Sequence, residues 1–333
     1  MRASTAWIQA WFYVAALLMV FGLAAVPLKA ASPFNDPVFG SHQTSNIQYG
    51  TGPINNGATS FSLTLDMVQP TNIGVPVPAI SPGIVLIHGG SFTSGSKSDL
   101  DGLAATYATY GYNVVSINYR LYGQLPPSSS PGPADALQPP PPGFQTFPDP
   151  QLGANAINAA VQDAQKAMGW MRDNAATYNI DPNRVAIGGV SAGAITALLE
   201  AYNSPPAHVA PTAVIDYLGS MYGTQGVIQP GAPPAFVVHG TADPIVPYQG
   251  DVDVVNQLTT VGVYNVFFPE PGLGHTINFN QINNGNTLTQ NNMIFLANHL
   301  LVPEPSSLVL AGMGLLALLY AVRWRNDLKC VRE

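Results

Sequence analysis

Cysteine is nearly absent: Cys330 stands alone in 333 residues. No disulfide can close within the chain, and a zinc site built on cysteines is excluded. Charge is scarce as well, with 9% Asp, Glu, Lys and Arg and a formal net charge of −7. Between residues 31 and 301 the only cations are Lys97, Arg120, Lys166, Arg172 and Arg184, set against fifteen acids, and no basic residue falls between Arg184 and Arg323. Neutralising a phosphate backbone takes clustered Lys and Arg, so nucleic acid is excluded as a partner. What the chain does have is 47% hydrophobic residues, enough for a large core, together with 32 Gly and 31 Pro that mark many loops. A surface that relies on Asn, Gln, Ser and Thr rather than on charge suits work outside the cell.

Long apolar runs occur at the two ends. Arg2 precedes the run from Val14 to Val26, and small residues follow at Ala30 and Ala31. This order predicts a secretory signal peptide over 1–31, with an uncleaved anchor as the alternative. At the other end, residues 306–322 form a 17-residue apolar run, near the lower limit of about 17–25 residues for a membrane span. Arg323 and Arg325 follow it. The order Val302-Pro-Glu-Pro-Ser306, apolar run and Arg cluster resembles the PEP-CTERM sorting signal. The resemblance covers 302–333 and implies export in a Gram-negative bacterium that makes extracellular polysaccharide. It further implies transient anchoring by the tail, cleavage by an exosortase-type protease, and a place at the cell surface or outside it. A plain C-terminal anchor, its basic residues kept inside, is the competing reading.

The remaining residues, 32–301, alternate between strand-like and helix-like segments. Phe61 to Met67 alternates with period two, while Gly83 to His88 and Tyr112 to Asn118 are short β-branched runs of the kind buried on both faces. Leu100 to Tyr110 between them reads as a helix closed by Gly111. A long helix is predicted from Ala154 to Tyr178, then a strand at Arg184 to Gly188, a helix at Ser191 to Tyr202, and strands at Ala235 to His239 and Tyr264 to Phe268. Such alternation predicts an α/β fold with a mainly parallel central sheet flanked by helices. Residues 121–153 do not fit it, because proline removes a backbone donor and fixes its own φ. An irregular insertion of this length is either a functional cover over a ligand site or an inconsequential loop.

The stretch Ala186 to Thr196, AIGGVSAGAIT, places Ser191 between Gly189 and Gly193. A bare G-x-S-x-G is weak, with a chance expectation of about 0.2 in a chain this rich in glycine. Its position between a predicted strand and a predicted helix strengthens it, since a sharp turn there exposes the hydroxyl above the sheet. A serine nucleophile needs a base and an orienting acid. Asp243 follows a strand 52 residues on, and His275 sits in a glycine-rich loop 32 residues further. His299 reads as a satisfied surface or core residue, His239 as support for the acid loop's turn, and Asp251 and Asp253 as residues of a helix start. The segment His88-Gly-Gly-Ser-Phe92 ends a buried strand, and amides near Gly90 and Ser91, with that of Ala192, can form an oxyanion hole.

Taken together, HGGSF, NYRL, IDPNRVAIGGVSAGA and HGTADPIVPY resemble the α/β-hydrolase superfamily, within it the carboxylesterases and the feruloyl and acetyl esterases that act on carbohydrates. The resemblance implies Ser191 as nucleophile, His275 as base, Asp243 as orienting acid, and Gly89, Gly90, Ser91 and Ala192 as oxyanion hole. HGGS in place of the commoner HGGG, and the proline-rich insertion, are departures from the pattern. The expected function is a secreted serine hydrolase of carboxylic esters, needing no metal or cofactor, with a small or polysaccharide-borne ester as substrate. A peptidase of the prolyl-oligopeptidase type and a non-catalytic surface or matrix protein on the same scaffold are the alternatives.

Overall fold

Ile84, Val85, Leu86 and Ile87 are all fully buried, yet they divide between two cores. Ile84 and Leu86 belong with Leu100, Ala104 and Tyr107, whereas Val85 and Ile87 belong with Ala160, Ala164 and Met168. Successive side chains of a strand point to opposite faces, so an unbroken apolar run serves a sheet covered on both sides. The computed structural model describes residues 33–54, 59–124, 150–203, 205–221 and 228–301. The predicted signal peptide, the sorting tail with its apolar run, and most of the proline-rich insertion lie outside them. Among the described residues no helix is long and apolar enough to cross a membrane.

The sheet has eight strands: β1 (Gly40–Ile54), β2 (Thr59–Thr71), β3 (Ser81–Ile87), β4 (Asn113–Ile117), β5 (Ile180–Val190), β6 (Val214–Tyr217), β7 (Ala235–Gly240) and β8 (Asn265–Glu270). Their spatial order is β1-β2-β4-β3-β5-β6-β7-β8. β1, β2 and β4 pair antiparallel, and every neighbour from β4 through β3 to β8 pairs parallel. Helices α1 (Asp101–Thr109) and α6 (Leu288–Leu300) supply one core, with Tyr107, Ala108, Phe295 and Leu296. Helices α2 (Pro150–Asp173), α4 (Ala192–Tyr202) and α5 (Gln249–Thr260) supply the other, with Met168, Leu198 and Leu258.

Several boundaries differ from the sequence reading, each for a local reason. β1 was not predicted, because it is an edge strand whose side chains are mostly exposed and polar. β6 escaped as well, being only four residues long. The insertion is shorter at both ends than 121–153: residues Tyr122–Gln124 form a 3-10 turn, and α2 already starts at Pro150, a first-turn position where the missing amide costs nothing. The long helix breaks at Asn174, whose side chain donates to the Trp170 carbonyl at 2.8 Å. The short helix α3 (Ala175–Tyr178) then ends on Asn179 at φ 56°, a left-handed stop.

Buried ions hold the elements in register. The Arg120 guanidinium donates twice to Asp163 on α2, Nε to Oδ2 and Nη2 to Oδ1, both at 2.8 Å, so the chain leaving β4 is tied to the α2 face of the sheet. On α4, Glu200 is buried with neither carboxylate oxygen bonded among the described residues. Burial pushes its carboxyl up to about 8, against the opposing pull of Arg172. The folded state therefore keeps a proton that the unfolded chain releases above about pH 4.5, and stability falls as pH rises from there to about 8. Glu200→Gln should flatten that fall and stabilise the protein at pH 8–9 by up to a few kcal/mol, since each tenfold difference in proton affinity between folded and unfolded chain is worth about 1.4 kcal/mol. Urea midpoints of both proteins across pH 5–9 check this.

Candidate active site

β5 ends at Val190 and α4 begins at Ala192, so the chain reverses on one residue, Ser191, at φ 56° and ψ −120°. Its amide donates to the Tyr217 carbonyl at 2.8 Å, fixing the turn to the end of β6. The reversal works only if strand and helix touch. A Cβ on Gly193 would overlap the Ile87 carbonyl, and one on Gly189 would stand 2.6 Å from both the Gly193 and Ile87 oxygens. Glycine at both positions thus follows from the backbone contact. Gly193→Ala should lower unfolding stability by about 1–3 kcal/mol, the usual scale of overpacking, as read from urea midpoints.

Two loops bring partners to the serine. Asp243 follows β7, and its Oδ1 accepts the amides of Ile245 and Val246 at 2.8 and 3.0 Å. His275 follows β8. The two loops are stitched together by Thr241 N–H to the Glu270 carbonyl at 3.0 Å, Ala242 N–H to the Leu273 carbonyl at 2.9 Å, and Gly272 N–H to Thr241 Oγ1 at 2.9 Å. The result is one continuous relay. His275 Nδ1 lies 2.6 Å from Asp243 Oδ2, and His275 Nε2 lies 2.9 Å from Ser191 Oγ. A carboxylate at Nδ1 calls for the ring proton there, which leaves the Nε2 lone pair facing the serine hydroxyl. The Asp243 side chain is 0% exposed and that of His275 17%. Ser191 is only 7% exposed, so the turn presents its hydroxyl to the imidazole rather than to open solvent, unlike the sequence expectation.

The segment after β3 approaches the same point. A Cβ on Gly89 would sit 3.3 Å from that of Ser191. Gly90, Ser91 and Phe92 all have positive φ, at 102°, 55° and 61°. This unusual run turns the backbone back on itself, and the Gly90 carbonyl accepts the amides of Thr93 and Ser94 at 3.0 and 3.1 Å. Among the described residues, none of the hydrogen bonds of this turn or of the start of α4 uses the amides of Gly90, Ser91 or Ala192. His88 stacks on Tyr119 with ring centroids 4.4 Å apart, and the Tyr119 hydroxyl donates to the His88 carbonyl at 3.1 Å. Burial lowers the His88 imidazole below its ordinary value, so it braces the turn as a neutral ring.

His299 is remote from the relay, packed at 4.8 Å from both Tyr264 and Phe295. Asp251, read from the sequence as part of a helix start, does lie in the first turn of α5 but points inward and is fully buried against His239. The acid spacing of that segment gave no sign of this, because Asp251 and Asp253 look alike until the helix face is known. Among the described residues no group of three or more His, Cys, Asp or Glu side chains is arranged to hold a metal ion.

Known proteins agree with this architecture. A family model described as BD-FAE matches residues 65–129 and 152–220, from β2 into the segment past β6. Among solved structures, a truncated form of a carbohydrate esterase from gut microbiota superposes with a TM-score of 0.55 at 18% identity, covering 80% of this chain and 98% of that one. The chain has the α/β-hydrolase fold. A thermophilic esterase of Thermogutta terrifontis, with propionate bound, superposes on this chain with a TM-score of 0.53 at 18% identity, over 78% and 92% of the two chains. In sequence, the phenmedipham hydrolase of Pseudarthrobacter oxydans is 29% identical over 167 residues, which is half of this chain and 26% of that protein. The chain thus spans about a quarter of the length of that curated relative. Residues 301–326 match the PEP-CTERM protein-sorting motif.

Proposed function

We propose that this α/β hydrolase cleaves carboxylic esters through a serine-bound acyl intermediate. The observation that carries the reading is the unbroken relay Asp243–His275–Ser191, with contacts of 2.6 and 2.9 Å. Ser191 Oγ attacks the acyl carbonyl as its proton passes to His275 Nε2. The new oxyanion is received by amides of the Gly89, Gly90 and Ser91 turn and of Ala192, at the positive end of α4. Collapse of the tetrahedral adduct expels the alcohol, which takes the proton from His275. Water then repeats the sequence on the acyl-enzyme, and Asp243 holds the imidazole in one tautomer throughout. These steps call for no metal or organic cofactor.

The sorting motif supports export, with the tail anchoring the protein at the membrane until an exosortase-type protease removes it. For substrate we favour short acyl groups on sugars. The carbohydrate-esterase name of one structural neighbour supports this class, as does a sorting tail of the kind that accompanies extracellular polysaccharide.

Steady-state hydrolysis of p-nitrophenyl acetate and butyrate tests the reading. Ser191→Ala and His275→Ala should each lose roughly 10⁴-fold or more in kcat, and the double variant little beyond either. His299→Ala should stay within a few-fold of the parent. Activity that survives in Ser191→Ala would sink the assignment.

A further inference from the structure

An open groove of about 540 Å³ runs along α2, and no residue of the relay or of the HGGS turn lines it. From the helix it takes Gln162, Gln165, Gly169, Trp170 and Asp173, whose three- and four-residue steps place them on one stripe. The loop after α4 closes one side with His208 and Val209. Trp170 is half-buried, packed on the core beneath and held by the Tyr178 ring with centroids 5.3 Å apart. Its indole N–H and the whole side-chain amide of Gln165 have no hydrogen-bond partner among the described residues. Gln162 uses only its oxygen, which accepts from Arg120 Nη2 at 3.1 Å. Asp173 is exposed and meets His208 Nε2 through Oδ1 alone, at 3.1 Å. The stripe therefore presents an aromatic ring among polar groups that the protein itself leaves largely unused.

Gly169 is the second observation. It lies inside a 24-residue helix, where glycine is a poorer choice than alanine. Packing does not call for it, since a Cβ there would meet only His208 and Val209, at 3.8 Å, an ordinary contact. Gly189 and Gly193 differ, for backbone atoms exclude a Cβ at both. What the glycine does is keep the groove wider between the helix and the 208–209 loop, as close approach by a ligand requires. The charges of the lining are already matched. Lys166 Nζ donates to the Thr51 carbonyl at 3.0 Å and to Asp163 at 3.1 Å, and Asp173 faces His208. No single-sign field remains to attract a polyanion. A docked peptide helix would need apolar pockets at three- and four-residue steps, where this stripe offers one ring and two amides. We propose that the groove binds a neutral oligosaccharide. A sugar ring lays its C–H face on the Trp170 indole, and its hydroxyls, each both donor and acceptor, meet the Gln162 and Gln165 amides, the indole N–H and the Asp173 carboxylate. From Gln162 to Asp173 the stripe runs about 16 Å at 1.5 Å per residue, which suits several linked sugars rather than one.

The inference rests on the groove alone and not on the ester-hydrolase reading, so its probes carry no acyl group. Calorimetric titration of the full chain with β-1,4-linked hexasaccharides of xylose, glucose and mannose reads it. At least one should bind, and Trp170→Ala should weaken that binding by about tenfold or more. Gln165→Ala, which removes an amide with no partner in the fold, should weaken it by about threefold or more. Gly169→Ala should also weaken it while leaving the melting temperature equal to the parent's or higher. All three should hydrolyse p-nitrophenyl acetate at the parent rate, or bind sugar as described even if no ester is cleaved. No binding of any hexasaccharide would overturn the proposal, as would parent affinity in Trp170→Ala and Gln165→Ala, which would put the sugar elsewhere. Self-association of the parent that Trp170→Ala abolishes, with no sugar bound, would make the groove an interface between copies and overturn it equally.

Discussion

Everything at the carboxyl edge of this sheet depends on one close approach, that of α4 to β3 and β5 at the Gly189–Ser191–Gly193 turn. Ser191 takes a left-handed backbone because the chain must change from strand to helix on a single residue. That geometry is tolerable only where neighbouring backbones come within contact of one another, and the two glycines remove the Cβ atoms that would keep them apart. Strain stored at such a turn is held by the surrounding sheet, here through the Ser191 amide bonded to the end of β6. The same approach aims the start of α4 at the space above β3, where the HGGS turn lies. The proposed nucleophile, the proposed donors and the helix dipole thus arise from one packing decision.

A second constraint is the scarcity of cations. Three buried carboxyls, Asp216, Asp243 and Asp251, lie at the ends of β6 and β7 and on α5, in a half of the chain without Lys or Arg. Buried charge must be paired or neutralised. In this protein two imidazole rings meet them, His275 at Asp243 and His239 at Asp251, both at 2.6 Å. Around β4 the opposite solution appears, where Arg120 and Lys166 meet the fully buried Asp163 and Lys97 meets Asp66. One half of the sheet is fixed by Lys and Arg ion pairs, and the other by contacts between imidazole rings and carboxyl groups.

The parallel centre of the fold was legible in the sequence because both its faces are buried, so runs such as Gly83 to His88 and Ala235 to His239 carry strand identity in every residue. The edge was not, since β1 exposes most of its side chains and shows no alternation. Helix ends were legible where backbone conformation decides them, as at Gly111 with φ 108°, and misread where a side chain does, as at Asn174. For the site, chain order and strand ends were enough to single out Ser191, Asp243 and His275, which the fold brings into hydrogen-bond contact. The pairing of His239 with Asp251 was beyond reach, because it depends on which face α5 turns inward twelve residues later.

The central claim is that Ser191, and no other residue, becomes acylated. Treating the full chain with a fluorophosphonate probe and locating the adduct by peptide mass spectrometry tests it directly. The account predicts one adduct per chain, on Ser191, and none when His275 is replaced by alanine. An adduct on a different residue, or no adduct on folded protein, would contradict it.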